Sequence, residues 1–299
     1  MTTGFRLLGP FGLHGADGLE VPLGGAKQRT LLAYMVLRSG EHLPVGELIR
    51  ALWGDTPPKS ARKNVQLYVS RLRRIIGTSG SPARLLTTGG GYCLAAGTSV
   101  VDVHAVHELR ARGGSLMRRG QADAAGLVFL DALGHWRGKP LSNLAQTILV
   151  QAEEARLDEL RLGLLADRFA AQLRAGRFTE AIPELTRVLA QHPQQERFRG
   201  QLMTALWRSG QRLRALAHYV EAYRFMTEEY GLEPDRRLRE LQQAILLDDG
   251  SGRGAEEELW AGSLGLEDRS GAFLSCMLGD GQCRDGAGHI VPAVAADRQ

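Results

Sequence analysis

One stretch of the sequence decides the fold, SARKNVQLYVSRLRRII at residues 60–76. It follows the helix-breaking pair Pro57-Pro58, and Ser60 is a residue type that commonly caps helix N-termini. At about 100° per residue, its apolar side chains fall on one narrow stripe, formed by Val65, Val69, Leu72 and Ile76. The pattern predicts an amphipathic helix from about Ser60 to Ile76 whose stripe packs into a core.

The exposed face of this predicted helix is mainly basic and amide-bearing, and no acidic residue occurs from Lys59 through Ile76. A helix that merely faces solvent usually intersperses Glu or Asp with its cations. In the major groove of DNA, Arg pairs with guanine edges and Asn or Gln with adenine edges. The residues expected at base edges are Lys63, Asn64, Gln66, Ser70 and Arg71, and those expected at phosphates are Arg62, Arg73 and Arg74. The alternative is that all of them contact phosphate, which positions a protein without reading sequence.

The segments on either side of this helix predict a winged helix-turn-helix. Two apolar, β-compatible segments come first, at residues 5–13 and 19–23, and two helices follow, from Ala26 to about Ser39 and over residues 45–53. After the basic helix, residues 84–88 and 92–96 flank three glycines, which predicts a β-hairpin. In such a fold the third helix enters the major groove and the hairpin, or wing, lies along the DNA backbone.

Two further groups of residues are candidates for backbone contact. In the wing, Thr87, Thr88, Gly90 and Tyr92 could contact phosphate or sugar, unless the hairpin is purely structural and Tyr92 packs inward. Lys27 and Arg29 begin the first helix, where exposed N–H groups favour anions. Plain solvation of these two cations is the alternative.

Residues 102–247 are nearly all helical by periodicity and contain an internal repeat. The stretch from Leu173 to Leu185 recurs from Trp207 to Tyr219 at an offset of 34 residues, the spacing of tetratricopeptide units. A helix over residues 235–247 is expected to cap this array. The sequence therefore predicts a mainly α protein with small β elements, with domains at 1–97 and 98–249, and a largely disordered tail at 250–299.

Charge and composition narrow the function classes. Residues 1–97 hold 12 Lys or Arg against 5 Asp or Glu, as expected of a part that meets a polyanion. No apolar run reaches the length of a membrane span and no signal peptide opens the chain, so we expect a cytoplasmic, nucleoid-associated protein. Cys276, Cys283 and His289 match no zinc spacing, and no catalytic set or nucleotide loop is evident. We therefore expect no metal, no cofactor and no enzymatic activity.

Several motifs, in order along residues 5–247, resemble the Streptomyces antibiotic regulatory protein family. Those of the first part are RLLGP at 6–10, QRTLLA at 28–33, ALWG at 51–54, PPKSAR at 57–62, YVSRLRR at 68–74 and GGYCL at 90–94. Those of the second part are ARLDELR at 155–161, HP at 192–193, QLMTAL at 201–206 and YGLEP at 230–234. The chain departs from the family in having Trp207 where a Tyr is common, and in its unmatched tail.

The resemblance implies an OmpR-type winged helix joined to a bacterial transcriptional activation domain. It also implies an activator that binds direct repeats near a promoter −35 element and engages RNA polymerase, usually at antibiotic or other secondary-metabolite gene clusters. We expect the second domain to contact the polymerase holoenzyme, either the polymerase itself or its sigma factor. Direct repeats fit two molecules arranged head to tail, since a palindrome requires two-fold symmetry. No receiver domain precedes the winged helix, so we do not expect two-component control.

Two other functions fit the same residues. One is a repressor with the same DNA contacts and no polymerase interaction. The other is a tetratricopeptide scaffold whose winged helix binds a protein.

Overall fold

The computed structural model describes residues 4–15, 17–97 and 101–247. These residues divide into two compact units. Within the described ranges, the first unit comprises residues 4–108 and 134–160, and the second comprises residues 109–133 and 161–247. The expected tail at 250–299, with Cys276, Cys283 and His289, lies outside the described residues.

A three-stranded antiparallel sheet opens the first unit, in the order β1 (Gly4–Arg6), β2 (Gly12–His14) and β3 (Glu20–Val21). The apolar segment predicted at 5–13 is therefore two strands and a bend, which corrects the expectation of one continuous strand. The bend falls at Gly9-Pro10, because Gly9 has a φ of +154° and proline donates no ladder hydrogen bond.

Side chains from later in the chain hold this bend in place. Asp102 accepts hydrogen bonds from the backbone N–H groups of Leu7, at 2.9 Å, and Leu8, at 3.3 Å. Asn143 accepts the N–H of Phe11 at 2.8 Å and donates to its carbonyl oxygen at 2.9 Å. These bonds satisfy backbone groups that the short strands leave unpaired, so residues of the later chain complete the first unit.

The winged helix follows with the predicted order of elements. Its elements are α1 (Ala26–Leu37), β4 (Leu43–Pro44), α2 (Val45–Trp53), α3 (Ala61–Thr78), β5 (Arg84–Thr88) and β6 (Gly91–Ala95). The hairpin of β5 and β6 is confirmed, and the short strand β4 pairs with β6 to give the sheet order β4-β6-β5. The sequence does not predict β4, whose two residues are too few for a pattern.

The remaining regular elements of the described chain are helices. Its helices are α4 (Asp102–Arg118), α5 (Ala122–Leu133), α6 (Ile148–Arg174), α7 (Phe178–Gln191), α8 (Glu196–Arg208), α9 (Arg212–Tyr230) and α10 (Arg236–Leu247). None of the helices in the described ranges is long and apolar enough to cross a membrane.

The 34-residue repeat is confirmed in its hydrogen bonds. Gly176 and Gly210 both have positive φ, +74° and +81°, and each ends a helix in the left-handed conformation that glycine tolerates. Arg177 N–H bonds to Gln172 O at 2.9 Å, and the equivalent Gln211 N–H bonds to Leu206 O at 2.8 Å. The second helix of each 34-residue repeat then buries a small residue completely, Ala181 in the first repeat and Ala215 in the second.

Helix α10 closes the second unit, as predicted for a terminal capping helix. Asp235 Oδ1 accepts the N–H of Leu238 at 2.7 Å, which satisfies a free donor of the first turn. The helix buries Leu238, Leu241 and Ile245 in the core that α6 to α9 form.

Candidate nucleic-acid interface

Helix α3 begins where the sequence predicts, directly after Ser60. The expected capping hydrogen bond is not made, because the Ser60 side chain bonds no backbone N–H of the first turn. Its hydroxyl instead accepts a 3.2 Å hydrogen bond from the side-chain amide of Asn64. The helix is therefore set by its packing and by the prolines before it, and the Asn64 amide already has one partner.

The core stripe of α3 is confirmed. Val65, Val69, Leu72 and Ile76 are all buried, and Ala61 extends the stripe by one turn toward the N-terminus. The stripe anchors one side of the helix and fixes which side chains the other side presents.

The exposed side of the helix presents what we call the cationic face: Arg62, Lys63, Gln66, Ser70, Arg71 and Arg74. In the described part of the chain, its four charged side chains form no ion pair. Cations without carboxylate partners make a positive surface that attracts polyanions. Arg71 and Gln66 also have the donor geometry that distinguishes guanine and adenine edges in a major groove.

Arg73 is placed differently from its neighbours, although the sequence groups it with the phosphate candidates. Its Nε donates to Leu85 O at 2.8 Å and another guanidinium nitrogen donates to Thr87 Oγ1 at 2.5 Å. The guanidinium also lies 5.9 Å from the centroid of the Tyr92 ring. Arg73 therefore attaches α3 to the wing, and these donors are not directed at a phosphate.

Two of the four contact residues expected in the wing, which is formed by β5 and β6, are buried. Thr88 is 1% exposed, and its Oγ1 lies 2.5 Å from His42 Nδ1. Tyr92 is 9% exposed, and Thr87 accepts the hydrogen bond from Arg73. Strand side chains alternate between faces, so Thr87 and its register partner Tyr92 share the face toward Arg73, while Thr88 lies on the other face beside His42. The buried side chains of Thr88 and Tyr92 therefore support the hairpin and are not available to a phosphate in this conformation.

Gly90 is the wing candidate that does face solvent. It is exposed at the two-residue tip, with a φ of +81° that the tight turn requires. Arg84, at the outer end of β5, is exposed as well. Arg84 is not among the residues expected at the DNA, although a basic residue at the start of a predicted wing strand is a usable signal.

The two candidates in α1 differ from each other. Lys27 Nζ donates to the carbonyl oxygen of Leu52 and lies 5.6 Å from the centroid of the Trp53 ring. A cation at the C-terminus of α2 is stabilised by the free carbonyl groups there. Lys27 thus serves the packing of α1 on α2. Arg29 is half-buried, and its side chain forms no hydrogen bond or ion pair within the described residues.

No group of three or more His, Cys, Asp or Glu side chains in residues 4–15, 17–97 and 101–247 is arranged to hold a metal ion. The cationic face itself offers positive charge and hydrogen-bond donors. It suits a ligand with a repeating negative backbone and hydrogen-bonding edges.

Comparison with known proteins gives two family matches, which cover consecutive parts of the chain. Residues 20–94 match the model described as transcriptional regulatory protein, C terminal. Residues 101–246 match the bacterial transcriptional activator domain.

Curated relatives match over both parts. The regulatory protein DnrI of Streptomyces peucetius is 37% identical over 269 residues, which cover 87% of this chain and 98% of that protein. The regulatory protein AfsR of Streptomyces griseus is 36% identical over 85% of this chain, which corresponds to 26% of its own length.

A solved structure has the same fold. Mycobacterium tuberculosis EmbR, in complex with a low affinity phosphopeptide, superposes with a TM-score of 0.82 and is 28% identical. The match covers 96% of this chain and 73% of that one.

Proposed function

The chain belongs to the Streptomyces antibiotic regulatory protein family, and we propose that it activates transcription by binding direct repeats near promoter −35 elements and recruiting RNA polymerase. Its targets are genes of a secondary-metabolite cluster, such as one for an antibiotic. The observation that carries the proposal is the cationic face of α3, opposite a buried stripe, in a chain whose relatives are transcription regulators.

We assign the DNA contacts to the first domain, residues 1–97. Within it, Lys63, Gln66, Ser70 and Arg71 face the bases, together with the second amide hydrogen of Asn64. Arg62 and Arg74 contact phosphates, and so do Arg29, Arg84 and the backbone at Gly90. Arg73, Lys27, Thr87, Thr88 and Tyr92 support these groups from within the fold.

Each good side-chain pair with a base edge contributes about 1–3 kcal/mol of discrimination between sequences. Each phosphate that is neutralised makes the affinity fall with salt by about 0.9 log units per log unit. A few such contacts account for both the specificity and the strong salt dependence that the proposal requires.

The second domain, residues 98–249, supplies the contact with RNA polymerase holoenzyme and its sigma factor. The match of residues 101–246 to a bacterial transcriptional activator domain supports this role. Two molecules bind head to tail, because direct repeats present the same orientation twice. The tail at 250–299 takes no part in this assignment.

The protein acts in the cytoplasm on double-stranded promoter DNA, without a membrane partner, a cofactor or an enzymatic activity. Its relatives are transcription regulators, which agrees with a protein that is not an enzyme.

Run-off transcription with purified RNA polymerase holoenzyme tests the proposal. The template carries a sequence that the full chain selects from fragmented genomic DNA, placed at its natural distance from the start site. An activator increases the transcript several-fold, and the Arg71→Ala variant loses the increase. A lower yield identifies a repressor, and selection of no sequence identifies a protein-docking scaffold; either outcome contradicts the proposal.

A further inference from the structure

An apolar side chain lies in the middle of the cationic face. Leu67 is 45% exposed on α3. Among residues 4–15 and 17–97, the other large hydrophobic side chain with comparable exposure is Leu19, which is 69% exposed in the turn before β3. Single exposed leucines are common on protein surfaces, so the exposure of Leu67 alone needs no explanation. Its position among the cations does.

The position of Leu67 is fixed by the core stripe. Leu67 lies two residues from both Val65 and Val69, which are buried, so it projects on the opposite side of the helix. It therefore contributes nothing to the core of the winged helix. Truncating it should leave the folded protein intact.

The neighbours of Leu67 are the central cations of the face. Lys63 lies one turn before it and Arg71 one turn after it, and both are exposed. Successive turns are about 5.4 Å apart along a helix, so a duplex that contacts both cations also passes over Leu67. Leu67 has no group that hydrogen-bonds to a phosphate or to a polar base edge.

One base carries a matching apolar group. Thymine presents its C5-methyl group in the major groove, beside an acceptor, while the other bases present donors and acceptors. The cationic face has no Asp or Glu, the side chains that best accept the amino group of cytosine, whereas Leu67 can pack against the methyl group of thymine. We infer that Leu67 is a specificity-determining residue that selects thymine by packing against its C5-methyl group; this inference rests on the proposed function.

Replacement of thymine by uracil tests the inference, since it removes the methyl group and leaves base pairing unchanged. The probe is the duplex of highest affinity that the full chain selects from a random library, with each thymine replaced in turn by deoxyuridine. At one or more positions, the wild-type dissociation constant should rise about fourfold, the ratio that corresponds to burial of one methyl group. The Leu67→Ala variant should bind the thymine and uracil duplexes equally at those positions.

Leu19→Ala is the matched control, because it also truncates an exposed leucine of the first unit. It should keep the wild-type response to uracil, and both variants should keep the wild-type unfolding temperature. A wild-type dissociation constant that uracil leaves unchanged at every position overturns the inference and leaves the proposed function standing. So does a Leu67→Ala variant with the full uracil response. A chain that selects no sequence overturns both.

Discussion

Arg73 donates a 2.8 Å hydrogen bond from Nε to the carbonyl oxygen of Leu85, and so ties helix α3 to wing strand β5. The same guanidinium donates to Thr87 and lies over the ring of Tyr92, on the partner strand β6. The next residue, Arg74, is exposed and belongs to the cationic face. Two adjacent arginines thus have different roles, one inside the fold and one at its surface.

This difference predicts opposite phenotypes for Arg73→Ala and Arg74→Ala. Removing Arg73 leaves two part-buried acceptors of the wing, Leu85 O and Thr87 Oγ1, without this charged donor, so the free energy of unfolding should fall by about 1–3 kcal/mol in urea denaturation. Removing Arg74 should change it by less than about 0.5 kcal/mol. Instead, Arg74→Ala should weaken DNA binding and flatten its salt dependence. Equal losses of stability in the two variants would refute the distinction.

Two helical glycines of the second unit predict changes of opposite sign. A Cβ at Gly113 of α4 would overlap the ring of Phe129, whose Cζ lies 2.7 Å from the ideal position, so Gly113→Ala should destabilise by about 1–3 kcal/mol. A Cβ at Gly126 of α5 meets only the methyl group of Ala171, at 3.8 Å. Gly126→Ala should therefore stabilise by about 0.5–1 kcal/mol, as alanine does in helices. Thermal unfolding of both variants measures the difference, and a shift in the same direction would contradict the packing of α4 on α5.

The carboxylate of Asp102 predicts a stability defect in the first unit. It accepts the N–H groups of Leu7 and Leu8, which are buried, and it forms an ion pair with Arg137 at 2.5 Å. Asp102→Ala should cost about 1–3 kcal/mol for each N–H left without a partner. The control is Asp123→Ala, because Asp123 pairs with Arg177 at the surface, where ion pairs contribute little. Chemical denaturation that gives similar midpoints for both variants would show that Asp102 does not support the bend.

His104 predicts a loss of stability in mild acid. Burial lowers the pKa of its imidazole below the ordinary value of 6.5, against the upward effects of Glu108 and Asp102 and together with the downward effect of Arg156. Because the unfolded chain keeps the ordinary pKa, it takes up the proton first as the pH falls below about 6.5, and folding becomes less favourable. His104→Gln should therefore lose less unfolding free energy than the wild type between pH 7 and pH 5.5. Burial also lowers the pKa of His14, so part of the decrease in unfolding free energy with falling pH remains in both proteins. Parallel curves for variant and wild type would contradict the prediction.

The features that the sequence predicts well are those with a regular residue spacing. The stripe from Val65 to Ile76 and the 34-residue repeat at Gly176 and Gly210 follow from spacing alone, because helix geometry fixes which residues share a face. The hairpin is predicted by a local signal, the glycines between two β-compatible segments.

What the sequence misses depends on partners far along the chain. Arg73 and Lys27 are basic residues on helices, and nothing in their local spacing shows that Leu85 and Leu52 accept their hydrogen bonds. The role of Asp102 at the Gly9-Pro10 bend is equally non-local, since it acts across more than ninety residues. The candidate site was therefore predicted as a helix face, while the division of its residues between surface and support required the fold.

One measurement tests the central claim, that the cationic face of α3 reads DNA sequence, most directly. Dissociation constants of the full chain are measured for its selected duplex and for a scrambled duplex of the same composition, at several salt concentrations. Arg71→Ala should lose about 1–3 kcal/mol of preference for the selected duplex, and Arg112→Ala, an exposed arginine of α4, should keep the wild-type preference. If the double variant Lys63→Ala, Arg71→Ala keeps the full preference for the selected duplex, the claim is contradicted.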